Sequence, residues 1–218
     1  MNKKFLIGIS LLILFTTFVS QTKYSNYGFK IKEIIIKNNH IIDKKKLLKD
    51  LSFLYNENLI FTKNSKIRKK LTQYSFIEGF NLKKKYPDKL EIEVIEKKPI
   101  AIIITNGQKY FLGKKIELID YRDLVKFQDL PLVYGDKESF KIFYNNLKKI
   151  NFPINLIKKY SFFETKRWDL EMSDKKIIKL PTNNYRQSLN NFLEIKDNRN
   201  FDIYKVFDYR LDNQLILK

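Results

Sequence analysis

Phe5-Leu-Ile-Gly-Ile-Ser-Leu-Leu-Ile-Leu-Phe-Thr-Thr-Phe-Val19 lies behind Lys3 and Lys4, and no comparable segment follows it in the 218-residue chain. No charge occurs from Phe5 to Thr22. A helix that spans a bilayer needs about 20 apolar residues to cross roughly 30 Å of hydrocarbon. The strongly apolar part is therefore short for an anchor, and it is slightly long for the core of a signal peptide. Cleavage after Ser20 would place Phe18 at −3, where a small residue is expected. The segment reads as an uncleaved signal anchor over 5–22, with a cytoplasmic tail at 1–4 and anchor side chains that include Phe5, Leu11, Leu12, Leu14 and Phe18. Tyr24 and Tyr27 follow as interfacial aromatics in a polar linker at 23–28. A retained segment leaves what comes after it tethered outside the cytoplasm, and a cleaved one would leave a free secreted protein.

Beyond the anchor there is room for one large or two small domains. Hydrophobic residues make up 44% of the chain, enough to bury real cores. There is no cysteine, which excludes thiol nucleophiles, disulfides and thiolate metal sites. The net charge of +19 points toward polyanions, yet the basic residues are mostly lysine, spread over every element and mixed with 24 acids. Such a distribution speaks to a solvated surface more than to a nucleic-acid site, and it leaves a weak attraction to anionic headgroups.

The hydrophobic period then changes along the chain. Residues 29–37 read as a strand, with Phe29 and Ile31 alternating with lysines ahead of Ile34–Ile36. Asn38-Asn39 supplies a turn. Asp43 is the expected N-cap of a helix to Tyr55, with Leu47, Leu48, Leu51 and Leu54 on its buried side. A second helix from about Thr62 or Asn64 buries Ile67, Leu71 and Tyr74. The period switches to two in a strand over 76–85 with a bulge at Gly79, a Tyr86-Pro-Asp-Lys89 turn, and the half-buried strand Leu90-Glu-Ile-Glu-Val94. Strand, helix, helix, strand, strand over 29–98 is a compact α+β unit.

Pro99 opens a second region, 99–218. Ile100–Ile104 and Lys109–Leu112 flank Asn106-Gly107, the strongest short hairpin signal. Short strands are expected at Ile116–Leu118 and Leu130–Gly135, and Asp136 caps a helix to about Ile150 along Phe140, Phe143 and Leu147. Further strands fall at Tyr160–Thr165, Arg167–Met172 and Lys176–Leu180. A helix over Asn184–Ile195 buries Tyr185, Leu189, Phe192 and Leu193, and Tyr204–Leu211 with Leu215–Leu217 forms a terminal strand or hairpin. The region reads as a mainly antiparallel sheet with two helices.

Nothing in this pattern assembles catalysis. His40, the one histidine, lies in the turn before the first helix with no convergent partners. No phosphate-binding glycine loop, zinc motif or nucleophile elbow occurs. Glu91 and Glu93 belong to the ordinary wet face of a strand. Neither catalytic nor metal-binding residues are assigned, nor any cofactor, small-molecule substrate or nucleic-acid partner. Trp168 reads as a core anchor. The terminal strand allows two readings: an edge that accepts a strand from another chain, or one merely capped by Asp208, Arg210 and Lys218.

Several stretches carry a family resemblance. They are Ile34-Ile-Ile-Lys-Asn-Asn39, Asn58-Leu-Ile-Phe61, and Tyr86-Pro-Asp-Lys-Leu-Glu-Ile-Glu-Val-Ile-Glu-Lys-Lys-Pro-Ile-Ala101. Further on come Leu130-Pro-Leu-Val-Tyr-Gly135, Arg167-Trp-Asp-Leu-Glu171, Ile178-Lys-Leu-Pro181 and Asp208-Tyr-Arg210. In this order they resemble the FtsQ/DivIB family of bacterial cell-division proteins over nearly the whole chain. The resemblance implies an α+β protein with an N-terminal transmembrane helix, a small POTRA module (β-α-α-β-β) at 29–98 and a mainly antiparallel β domain with two helices at 99–218. It implies a non-catalytic divisome scaffold of the inner membrane, single-pass, with its domains in the periplasm at the division septum. Its partners would be FtsB-like and FtsL-like proteins, with other division proteins met through the POTRA module. The C-terminal edge would accept a strand, with contacts at Arg167, Arg210, Leu211, Asp212, Asn213, Gln214 and Leu215. Leu211 stands where some members carry an aromatic residue. Two other classes remain open: a POTRA-containing transport or outer-membrane assembly component, and a charge-driven envelope or nucleic-acid binder, which a salt titration would separate.

Overall fold

The computed structural model describes residues 3–17, 29–211 and 214–218. Two compact units emerge: Met1–Asn39, Asp43–Lys70 and Asn81–Val94 form one, and His40–Ile42, Leu71–Phe80 and Ile95–Lys218 form the other. The N-terminal helix α1 (Lys3–Thr17) exposes Phe5, Leu11, Leu12 and Leu14, and Phe18 lies outside the described residues. Among the described residues no helix is long and apolar enough to cross a membrane.

In a three-stranded sheet, β1 (Glu33–Lys37) lies parallel to β3 (Lys89–Glu96), and β2 (Ile77–Lys85) flanks β3 on its other side. Helix α2 (Lys44–Asp50) begins where Asp43 accepts the Lys45 N–H, as the sequence predicts, but it stops well short of Tyr55. Leu51 leaves the helical region at φ −99°, ψ 5°, and Ser52–Asn56 winds into a 3-10 turn. With three residues per turn, Leu51 and Leu54 stay on one side, so the leucine stripe is buried by a tighter helix than its spacing implies. Helix α3 (Asn64–Leu71) buries Ile67.

Glu91 departs from the expected wet face, being only 2% exposed. Lys85 and Lys37 on the strands beside it reach its carboxylate at 2.6 and 3.0 Å, and Lys83 approaches at 4.0 Å. The long lysine stems cover the carboxylate while their ammonium groups stay in water. Hydrogen bonds from Lys85 and Lys37 pull its pKa down to about 2. The turn between β2 and β3 contains a cis Tyr86–Pro87 bond.

The second unit is built on a nine-stranded sheet. In chain order its strands are β4 (Ala101–Thr105), β5 (Gln108–Leu112), β6 (Leu118–Asp120), β7 (Leu132–Tyr134), β8 (Ile157–Phe162), β9 (Trp168–Met172), β10 (Ile177–Lys179), β11 (Val206–Asp208) and β12 (Ile216–Leu217). Their spatial order is β12-β11-β10-β9-β8-β7-β4-β5-β6. Five of the eight neighbouring pairs are antiparallel. Two of the parallel pairs are bridged by helices: α4 (Lys137–Lys149) joins β7 to β8, and α5 (Tyr185–Ile195) joins β10 to β11. Parallel neighbours need a long crossover, most often a helix.

The β4–β5 turn has Asn106 and Gly107 at φ 49° and 73°, the geometry for which Asn-Gly is chosen. The expected strand at Ile116 starts later: Ile116 sits at φ 59° and donates to the Gly113 carbonyl, so the chain is still turning there. The strand expected at Tyr160–Thr165 instead occupies Ile157–Phe162, because Lys166 donates to the Phe163 carbonyl and closes a tight turn. Gly135 ends β7 at φ 152°, and a Cβ there would lie 2.7 Å from that of Phe162. Asp136 then caps α4 by accepting the Ser139 N–H at 2.8 Å.

One face of the sheet carries the core. Val133, Tyr160, Leu170, Ile178 and Phe207 form a cross-strand row. They bury against Phe140, Phe143 and Leu147 of α4 and Leu189 and Phe192 of α5. Trp168 is a core anchor, stacked on Phe143 at 4.9 Å with a 12° interplanar angle.

Candidate functional site: the C-terminal sheet edge

The next row on the same strands is charged. Register aligns Asp169 of β9 with Lys179 of β10, Lys179 with Asp208 of β11, and Asp208 with Ile216 of β12. Acid, base and acid thus alternate across three strands, and opposite charges placed directly across strands attract. Arg167 and Arg210 flank the row. The Arg210 guanidinium grips Asp208 in a two-pronged contact, Nε to Oδ1 at 2.8 Å and Nη2 to Oδ2 at 2.6 Å, while its own backbone N–H donates to Oδ1 at 3.2 Å. The hydrogen bonds from Arg210 hold the Asp208 carboxyl below the usual range although its side chain is only 5% exposed.

Arg167 behaves differently. Its Nε stands 3.5 Å from Asp169 Oδ1, close enough for attraction and without a hydrogen bond. Its guanidinium lies over the Phe163 ring at 4.3 Å. Burial pushes the Asp169 carboxyl up, against the pull of Arg167, Lys179 and Arg210. The row therefore has a satisfied end at Asp208–Arg210 and an under-bonded end at Asp169–Arg167.

β12 closes the sheet. Val206 and Lys218 exchange two backbone hydrogen bonds, at 2.9 and 3.1 Å. In an antiparallel pair the neighbouring residue then points its backbone groups the other way, so the Leu217 N–H and C=O face the open edge. Between α5 and the residues that lead into β12 lies a cleft of about 530 Å³. Asn184, Gln187 and Asn191 line it from α5 and its start, and Tyr209, Leu211 and Leu215 from the terminal segment. Tyr209 donates its hydroxyl to Asn191 Oδ1 at 3.0 Å, pinning the strand to the helix. Burial raises the Tyr209 pKa, so it remains a donor.

Of the residues anticipated at this site, the structure brings Arg167 and Arg210 to one charged row and Leu211, Gln214 and Leu215 to one cleft. Leu211 is 54% exposed, whereas Leu215 packs partly into the core. Asp212 and Asn213 lie outside the described residues. Asp169, Lys179, Tyr209 and the amide face of α5 were not anticipated. Only strand register brings them together, and residues 169, 179 and 208 share no local spacing signal.

Two family models match most of the chain. Residues 29–97 match the family model described as POTRA domain, FtsQ-type. Residues 101–210 match that of cell division protein FtsQ/DivIB, C-terminal. The chain is 26% identical over 207 residues to cell division protein FtsQ of Rickettsia conorii, covering 93% of this chain and 77% of that protein. It is also 26% identical over 195 residues to cell division protein FtsQ of Rickettsia bellii, covering 88% and 73%. Among solved structures, the major extracytoplasmic domain of DivIB from Geobacillus stearothermophilus overlaps 50% of this chain and 98% of that domain at 13% identity. The TM-score of 0.32 is too low for that likeness to carry weight. By its two matching domains and these relatives, the chain belongs to the FtsQ/DivIB family of cell-division proteins.

Proposed function

We propose that the protein is a non-catalytic scaffold of the divisome, linking early and late division proteins by accepting a partner strand at β12. The observation that carries this is the outward-facing backbone of Leu217, two residues along the chain from Leu215, which with Leu211 helps to line the cleft. Main-chain hydrogen bonds supply affinity in strand addition, and side-chain pockets supply specificity. The partners on this reading are FtsB-like and FtsL-like proteins, with other division proteins engaged through a POTRA module at 29–98 and the edge provided by a β domain at 99–218. Arg167 and Arg210 would meet acidic groups of the incoming segment. Phe5–Thr22 would anchor the chain once in the inner membrane, with the tail in the cytoplasm and both domains in the periplasm at the septum.

Substituting Leu211→Lys tests the edge. The side chain is exposed, so folding should survive while capture of the FtsB-like and FtsL-like partners is lost. Unchanged co-purification would sink the strand-addition reading.

A further inference from the structure

The first unit carries an apolar tip that neither its core nor the C-terminal edge uses. Because β1 and β3 are parallel, the start of β1 and the turn at 86–88 fall at the same end of the sheet. The Lys32 N–H donates to the Asp88 carbonyl at 2.8 Å there. The connector before α3 closes the same end. Lys30 and Asn58 form an antiparallel bridge, and the Leu59 N–H donates to the Phe29 carbonyl at 2.7 Å. The connector therefore carries Ile60 and Phe61 to the place where the chain enters from residue 28. Phe29 and Tyr86 join them, with rings in edge contact at 5.9 Å. Phe61 is 73% exposed and Tyr86 61%.

Lysines are interleaved with this tip along the chain. Lys84 donates to the Ile60 carbonyl at 2.7 Å, and Lys30, Lys32 and Lys63 are exposed close by in the chain. The local acids are already engaged: Glu57 by Lys66 at 2.6 Å, Asp88 by Lys32 at 3.5 Å, and Glu33 by Lys89 at 2.7 Å. An aromatic and aliphatic tip with lysines at Lys30, Lys32, Lys63 and Lys84 in the same segments matches the boundary between acyl chains and anionic headgroups. Lysine, a compact and mobile charge, suits a fluid headgroup layer more than a fixed carboxylate geometry.

We infer that this end of the first unit seats on an anionic phospholipid surface, with Phe61 and Ile60 entering the interface and these lysines meeting lipid phosphates. The inference rests on the anchor reading for proximity: eleven residues, hence twelve Cα-to-Cα steps, separate Thr17 from Phe29, a reach of at most about 43 Å fully extended. Its chemistry does not depend on the anchor.

The chain has no cysteine, so a single-cysteine reporter is unambiguous. The full chain carrying Phe61→Cys, labelled with an environment-sensitive dye, is reconstituted with phosphatidylcholine vesicles with and without phosphatidylglycerol. A parallel sample carries the dye at Ile9→Cys in α1. The expected result is a blue shift of the Phe61→Cys dye, and quenching by nitroxide-bearing lipids, in phosphatidylglycerol vesicles only, both lost at high salt. Adding Phe29→Asp should abolish the shift. A dye at position 61 that stays in water over phosphatidylglycerol overturns the inference. So does equal insertion into neutral vesicles, or a shift that needs an added protein partner. An aqueous dye at position 9 would refute the anchor instead, and position 61 then still decides whether the tip binds headgroups.

Discussion

Replacing Leu217 by proline would remove one atom group from the open edge and little else. The Leu217 N–H faces away from β11, and the bonds that hold β12 in place include those of Lys205 and Val206 with Lys218, none of which uses Leu217. Proline is tolerated on an edge strand when its missing N–H faces outward. Leu217 is half-buried against the core, so truncating it costs about 1 kcal/mol of hydrophobic burial, or roughly 2–4 °C in Tm for domains of this size. The effect on an added strand should be larger. A partner carbonyl facing the proline loses its donor and stays desolvated, which costs about 1–3 kcal/mol, or roughly 5- to 150-fold in affinity. Leu217→Ala provides the control, since it gives up comparable side-chain area and keeps the N–H. Isothermal titration of both variants with the FtsB-like partner, alongside thermal unfolding, separates backbone from side-chain effects. If Leu217→Pro and Leu217→Ala bind equally well, the backbone of β12 takes no part in recognition and the argument from its orientation fails.

Two further outcomes concern the fold around that edge. Asp208→Asn keeps an acceptor for the Arg210 backbone N–H but loses the charged two-pronged contact. Arg210 is open to water, so the cost should lie near the low end of charged hydrogen bonds, about 1.5 kcal/mol. Because the Asp208 carboxyl is held below its usual range, that stabilisation is complete above the ordinary carboxylate range and is lost as pH falls through the acid range. Urea midpoints of wild type and variant should therefore differ at neutral pH and converge in strong acid. Trp168→Ala removes the ring stacked on Phe143 and packed against Phe162 at 4.7 Å, and should destabilise by about 4 kcal/mol in urea titrations. A loss below about 1 kcal/mol would mean that Trp168 is not the core anchor described.

What the sequence made legible was local. The leucine stripe from Leu47 to Leu54, the Asn106-Gly107 turn and the Asp43 and Asp136 caps each follow from residues within one or two turns of each other. The misjudged features depend on distant strands. Glu91 alternates as a wet-face residue should, yet Lys37 and Lys85 come from the strands on either side of it and close over its carboxylate. The helices after β7 and β10 are crossovers between parallel strands, a fact held in the pairing of Leu132 with Lys159 and of Ile177 with Val206. At the candidate site, Arg167 and Arg210 were legible through a family pattern, and the Asp169–Lys179–Asp208 row between them was not. Its members are brought into line by hydrogen-bond register, which no spacing along the chain encodes.

When β12 receives a strand from another chain, amide hydrogen exchange reads that event at the atom concerned. Exchange at Leu217 should be fast in the free protein, because its N–H points to the open edge, and should slow markedly when the FtsB-like partner is bound. The Lys218 amide, already bonded to the Val206 carbonyl, should change far less. A complex that forms while the Leu217 amide continues to exchange at its free rate would contradict strand addition at this edge.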